Sequence, residues 1–183
     1  MTSRDDLPEA SLAPGANEGV ETDAFVRPAD GRVSSTVRVF IRREPDAVFD
    51  YVADLRNEPQ YNGQVSAITK TSPGPVGHGT TFVGLHRGLG PVSWQLSEYE
   101  RPSHVAIEGR VGNGIYRWTS DFESASGGTV MCGRMEWQPP ERWRPFRALL
   151  GVILGWNARR SFGRMAALLA RGTPAVQEPD IVR

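Results

Sequence analysis

The sequence predicts an α+β domain in which a curved antiparallel sheet wraps around one long C-terminal helix. Three patterns carry this expectation. A single strand-like segment and a short helical stretch come first, and a series of alternating apolar segments separated by short turns follows. A single uninterrupted run at helical spacing closes the chain. A bent sheet gripping one helix leaves a space between them, and residue types on the inward faces decide what that space can hold.

The first strand is STVRVFIRR, in which Val37, Val39 and Ile41 alternate with Arg38 and Arg42, the period of a strand with one buried face. At Glu44-Pro45-Asp46 the period changes. Pro45 suits a first helical turn, and Val48, Phe49, Val52 and Leu55 recur at helical spacing. Asn57-Glu58-Pro59-Gln60 ends that helix, and a second short turn runs through Tyr61. Strands are then expected at Gln64–Thr71, Thr80–Arg87, Val92–Glu100, His104–Val111, Ile115–Ser124 and Thr129–Trp137. Short turn-forming links between them, Gly112-Asn113-Gly114 the sharpest, favour antiparallel hairpins. The last helix is expected from Trp143 to Ala170, about 42 Å at helical rise. Its apolar seam reads Leu150, Leu154, Ala158, Ser161, Met165 and Leu168. Phe146, Leu149, Ile153 and Trp156 lie beside that seam and call for a cover of their own.

At 183 residues the chain suits one domain. Its formal net charge is zero, which argues against broad nucleic-acid binding. Cys132 is the single cysteine, so an intrachain disulfide scaffold is excluded. MTSRDDLPEASLAPG has no apolar stretch after a basic region, so no secretory signal is expected. Ala148 to Trp156 is far shorter than the roughly 20 residues of a spanning helix. A cytoplasmic location is therefore expected. Residues 1–33, acidic and rich in Pro, Ala and Gly, read as a disordered tail, residues 34–171 as the domain, and 172–183 as a flexible end.

The segments VRVFIRREPDAVFDYVADLRNEPQYN, GPVGHGTTF, WQLSEYERPSHVAI and GGTVMCGRMEW, followed by a long helix, resemble the SRPBCC superfamily. The likeness is to its START-like, polyketide cyclase/dehydrase branch, which shares the helix-grip fold of the pollen allergen Bet v 1. It covers about residues 34–171. It implies a ligand cavity and a lipid, sterol, polyketide or hormone as ligand; some members cyclise or hydroxylate what they bind. The iron–sulfur and mononuclear-iron residues of the ring-hydroxylating members are not in this sequence.

Alternation places Met131, Gly133, Met135 and Trp137 on the inner face. By the same rule Tyr116, Trp118, Ser120 and Phe122 face in, as do Trp94, Leu96, Val105, Ile107, Phe82, Gly84 and His86. Gly84 and Gly133 remove bulk there, a sign of a cavity. The ligand-binding residues expected are Tyr61, Phe82, Trp94, Leu96, Ile107, Tyr116, Trp118, Met135, Leu150, Leu154 and Ala158, an apolar wall of the usual kind. Aromatic residues on such a face more often form plain core, and the family resemblance is what favours a hollow one.

Should chemistry occur, the candidate groups are His86, Tyr116 and Arg160. Glu98 continues the Trp94–Leu96 phase, which would bury its carboxylate unless the strand end leaves it wet. His78, His86 and His104 are too scattered for a metal site, and no cofactor is expected. Arg142, Arg144 and Arg147 flank Trp143 and Phe146, a mixture compatible with a solvated helix start or with transient contact at an anionic membrane surface.

Three functions remain open on these residues. One is a carrier or sensor for a small hydrophobic, lipid-like or polycyclic ligand. Another is an aromatase/cyclase or dehydratase acting on a bound poly-ketone. The third is an interaction or homodimerisation module using the apolar C-terminal helix.

Overall fold

The structure, a computed structural model, describes residues 20–26, 32–87, 90–111, 114–139 and 145–172. Among the described residues eight strands form one sheet: β1 (Val20–Val26), β2 (Val33–Ile41), β3 (Val65–Lys70), β4 (Thr81–His86), β5 (Gly90–Glu100), β6 (His104–Val111), β7 (Gly114–Ala125) and β8 (Gly128–Gln138). Their spatial order is β1-β2-β8-β7-β6-β5-β4-β3, and every neighbouring pair is antiparallel. Helices α1 (Pro45–Ala53) and α2 (Glu58–Tyr61), joined by a 3₁₀ turn at Leu55–Asn57, carry the chain from β2 to the far edge. Helix α3 (Arg147–Ala170) then packs across β1 and β2. The helix-grip arrangement expected from the sequence is the one observed.

One expectation is corrected. Within the stretch read as a disordered tail, residues 20–26 form β1, paired along its length with β2. The side-chain pattern of VETDAFV is a weak strand signal. An open β2 edge, however, presents unpaired N–H and C=O groups that a neighbouring segment satisfies whatever its hydrophobic pattern. Arg142, Trp143 and Arg144, the tip 112–113 of the Gly112-Asn113-Gly114 hairpin, and residues 1–19 and 173–183 lie outside the described residues.

Two arginines fasten the helices to the sheet. Arg101, in the β5–β6 turn, donates to both carboxylate oxygens of Asp50 at 2.7 and 3.0 Å and pairs with Asp46, both on α1. Arg43 donates from Nε to the Leu169 carbonyl at 2.7 Å, which also accepts the Gly172 N–H at 3.0 Å at the end of α3.

The inner face divides into two halves along the strand direction. Toward α1 it is solid. Phe49 meets Tyr99 and Phe122 edge-on at centroid distances of 5.0 and 5.4 Å, and Leu96, Val105, Met131 and Met165 are completely buried around them. In the other half, the cross-strand row Ile107–Trp118–Met135 and the row Trp94–Gly109–Tyr116–Trp137 face α2 and α3 across a gap.

The buried edge of α3 is Gly151, Gly155, Phe162, Met165 and Leu169, mostly one position round from the expected seam. Leu154, Ala158 and Ser161 lie on the flank of the helix that borders the gap. Phe146, Leu149, Val152, Ile153 and Trp156 are exposed. No helix among the described residues is long and apolar enough to cross a membrane, which says nothing of a β-barrel.

A β-bulge between Leu96 and Glu98 ends the inward phase there and leaves the Glu98 carboxylate wet, the alternative the strand end left open. The extra residue shifts the alternation, so Tyr99 packs on Phe49 while Glu98 joins a charged group on the outer face. There Arg117 pairs with Glu98 and Glu108, and His104 lies 3.0 Å from Glu98 and 2.6 Å from Asp121. The Arg117 hydrogen bond, helped by His104, holds the Glu98 carboxyl below its ordinary range against the opposing effect of burial. For His104, partial burial disfavours the charged form, but Asp121 and Glu98 together outweigh it and raise the pKa above 6.5.

A raised folded-state pKa contributes stability that is complete below the unfolded value and lost as pH rises through the folded one. Comparing wild type with His104→Asn by urea unfolding from about pH 5 to about pH 9 should therefore show the larger difference at the acid end. That difference should stay under about 1 kcal/mol for so exposed a pair. A difference that grows with pH would contradict the pairing.

Candidate functional site: a cavity between helix and sheet

The gap is a cavity of about 160 Å³, bounded by α1, α2, α3 and the hollow half of the sheet. Val52 from α1 and Leu55 from the 3₁₀ turn that follows it close one side of the space. Trp94, Ile107, Trp118, Met135 and Trp137 form its floor, and Leu154, Asn157, Ala158, Ser161 and Phe162 come from α3. The wall facing α2 carries Glu58, Tyr61 and Asn62, with His86 from β4 and Tyr116 from β7.

Aromatic contact holds the helix to the sheet beside this space. The Trp118 and Phe162 rings stack with centroids 5.0 Å apart and planes 10° from parallel. Phe162 continues to Tyr61 at 6.1 Å, and Tyr61 to Tyr51 at 6.2 Å. The indole N–H of Trp118 donates to Ser120 Oγ at 2.6 Å, which fixes the ring on the sheet. A stack of this kind contributes about 1 kcal/mol beyond its buried area.

The inner-face glycines act differently from the sequence expectation. The space above them is filled rather than hollow. A Cβ on Gly84 would come within 2.8 Å of the Trp94 ring, as would one on Gly109 from the neighbouring strand, and one on Gly133 would overlap Trp118. These positions let the two indoles lie close to the sheet, and the cavity begins above the rings.

The polar end is built on α2. Asn62 donates to Glu58 Oε1 at 2.7 Å while its own carbonyl accepts from the Gln64 backbone N–H at 3.0 Å, so the carboxyl is held in place. Burial pushes the Glu58 carboxyl above the usual range, and the Asn62 hydrogen bond partly offsets this. Burial raises Tyr61 well above an ordinary phenol, with the neighbouring Glu58 adding to it. Tyr116 is raised by the same two causes in the same order. Burial lowers His86, against a contact of its Nδ1 with the Arg87 carbonyl at 2.9 Å. Trp137 Nε1 is buried and meets no hydrogen-bond partner among the described residues.

Of the residues expected from sequence, Tyr61, Trp94, Ile107, Tyr116, Trp118, Met135, Leu154, Ala158 and His86 border the cavity. Phe82 and Leu96 do not; both are completely buried as solid core. Leu96 shares a cross-strand row with Ile107 but lies on the flank that has no gap above it. Leu150 is half-buried outside the cavity. Arg160 is exposed, its guanidinium 5.5 Å from the centre of the Trp156 ring. It lies on the solvent side of α3 and is no candidate for chemistry in the cavity.

Sequence reasoning missed Glu58, Asn62, Asn157 and the lining role of Trp137. Glu58-Pro59 reads as a helix stop, and nothing local shows that the short helix after it faces an apolar space.

The geometry defines a helix-grip protein with an aromatic-walled cavity between helix and sheet. A family model described as "Polyketide cyclase / dehydrase and lipid transport" matches residues 32–170, and the chain belongs to this family. No curated protein matches the chain.

Solved structures share the fold at low identity. SA2116, a protein of unknown function from Staphylococcus aureus, is 12% identical with a TM-score of 0.64, over 80% of this chain and 99% of that one. TTHA0849 from Thermus thermophilus is 14% identical with a TM-score of 0.61, over 76% and 98%. CalU16 from Micromonospora echinospora is 14% identical with a TM-score of 0.56, over 84% and 88%.

Because a Cβ at Gly133 would collide with Trp118, Gly133→Ala should lower stability by about 1–3 kcal/mol, read from the urea midpoint. An unchanged midpoint would mean that Trp118 does not rest on this glycine.

Proposed function

We propose that the protein binds a small hydrophobic molecule in the α2–α3 cavity and serves as its carrier or sensor. The observation that carries this reading is an apolar, aromatic-walled space left open in an otherwise well-packed interior. Closed interiors are normally filled to crystal-like density, and apolar concavities with a few placed polar groups are the usual form of ligand sites. The family's description, which includes lipid transport, supports the same reading.

The size of the space sets the scale of the guest. A cavity of about 150 Å³ suffices for benzene, so a single-ring compound fits without rearrangement. A polycyclic or lipid-like ligand would extend through the mouth or displace side chains of α3.

A second reading, cyclisation or dehydration of a bound poly-ketone, is favoured by one observation: Glu58, His86 and Tyr116 border the same water-poor space, where acid/base groups act on a held substrate. In that case Tyr116→Phe and His86→Ala reduce turnover of a poly-ketone more than they reduce its binding. A third reading, docking or homodimerisation through the exposed Leu149, Val152, Ile153 and Trp156, predicts a concentration-dependent sedimentation coefficient.

The binding reading is tested by titrating the protein with ethylbenzene and following tryptophan emission, alongside native mass spectrometry of the freshly purified protein. Saturable quenching is expected in wild type and should be lost in Ala158→Trp, whose indole occupies the space. Equal titrations for the two proteins, or no change in either, would overturn it.

A further inference from the structure

Helix α3 packs on the sheet through Gly151, Gly155, Phe162, Met165 and Leu169 and turns its opposite face to solvent. That outer face changes character along its length. Its first part is apolar: Phe146, Leu149, Val152, Ile153 and Trp156 recur at steps of three and four, and all are exposed. From Arg159 onward it is basic, with Arg159, Arg160 and Arg164 exposed in turn. The helix holds no aspartate or glutamate. None of these three arginines pairs with a carboxylate among the described residues. Arg160 instead lies over the Trp156 ring, 5.5 Å from its centre, where the two parts of the face meet.

Large apolar side chains in one stripe on a helix call for a cover, and the charge beside them selects it. A second copy packed helix to helix would enclose Arg160 along with Trp156. Neither helix could supply a carboxylate, so the cation would be desolvated without a partner. An anionic bilayer meets both parts of the face. Apolar residues, then a tryptophan, then arginines follow the order of acyl chains, interface and phosphates at a membrane surface. Phe146 to Trp156 spans about 15 Å of helix axis, enough for an obliquely seated helix to reach the roughly 5–10 Å depth of an interfacial segment. The whole chain is formally neutral, so the attraction is local to this face.

We propose that the outer face of α3 seats the protein on an anionic lipid surface. Leu149, Val152 and Ile153 enter the acyl boundary, Trp156 lies at the interface, and Arg159, Arg160 and Arg164 meet lipid phosphates. Contact of this kind gives the exposed stripe its partner and is independent of what the cavity holds. The seating is peripheral, since the other face of the helix stays packed on the sheet.

The test is flotation of the full chain with vesicles of phosphatidylcholine alone and of phosphatidylcholine mixed equally with phosphatidylglycerol. Binding to the anionic vesicles should exceed binding to the neutral ones at least about tenfold and weaken as salt rises to about 0.5 M. Val152 is the most exposed large apolar residue described. Val152→Glu, and separately Arg159→Gln combined with Arg160→Gln, should each lower that affinity at least about fivefold. These changes lie on the solvent side, so the urea midpoint should stay in place. Val83→Glu, on the outer face of the sheet and also exposed, should leave vesicle binding unchanged.

Equal binding to the two vesicle types, or none to either, would overturn the proposal. Unchanged affinity in either α3 variant would overturn it too, because insertion and charge are both required. Heparin binding as tight as that of the anionic vesicles, and indifferent to Val152→Glu, would replace the bilayer by a soluble acidic partner. A wild-type dimer in sedimentation that Val152→Glu dissociates, without vesicle binding, would assign the face to a second copy. Should Val152→Glu lose its native unfolding transition, Leu149→Ser takes its place with the same expectation.

Discussion

The stacking of Trp118 on Phe162 is the contact on which the rest of this structure depends. It joins the floor of the sheet to the helix that closes it, at a point where neither element could otherwise approach without filling the space between them. Two flat rings in parallel contact set a spacing that aliphatic side chains would not, because an aromatic pair fixes both distance and angle. Gly133 lets the indole settle against the sheet, and Ser120 takes its N–H, so the ring cannot rise into the cavity. Farther along α3, Met165 and Leu169 pack conventionally and Arg43 holds the Leu169 carbonyl. The helix is therefore anchored at its C-terminal end, while Leu154, Asn157, Ala158 and Ser161 in its middle border the open space.

That division of labour explains how one sheet face holds both a solid core and an open recess. The half under α1 is a solid core of Phe49, Leu96, Val105, Phe122 and Met131, whose burial supplies the hydrophobic stabilisation. The half under α2 and α3 forgoes some packing and gains a recess walled by indoles. Placing Glu58, Tyr61 and Tyr116 in that recess is costly for charge, and burial answers by shifting each group toward its neutral form. The outer face of the same sheet shows the opposite regime. There the carboxylates of Glu98, Glu108 and Asp121 meet water and share Arg117 and His104 as partners.

Much of this was legible in the residues. Strand alternation from Val37 to Trp137 gave the inner and outer faces because a half-buried sheet imposes a period of two on its sequence. Illegible were features that depend on where elements land in three dimensions. The bulge at Leu96–Glu98 inverts the phase for one turn of the strand, and no turn-forming residue marks it. Phe82 and Leu96 carry the same apolar signal as Trp94 and Ile107, yet they meet core rather than cavity; only the position of α3 separates them. Arg160 is a candidate for chemistry only if its side chain reaches the cavity, and the structure sends it over Trp156 instead. Glu58 follows the reverse course, since a charged residue beside a proline reads as a surface stop until the helix it begins is seen to face an apolar room. The strand at Val20–Val26 is a backbone event, drawn by an open sheet edge, that the side-chain pattern hardly records.

The central claim is that the space over Trp118 is a real void in solution, kept open by the helix and not closed by side-chain relaxation. Crystals of the protein pressurised with xenon test this most directly, because the gas enters dry apolar cavities and scatters strongly. The account predicts an ordered xenon site between Tyr61, Trp118 and Ala158, with Phe162 still parallel to the indole. A cavity without xenon, with Phe162 or Leu154 folded down onto Trp118, would contradict it.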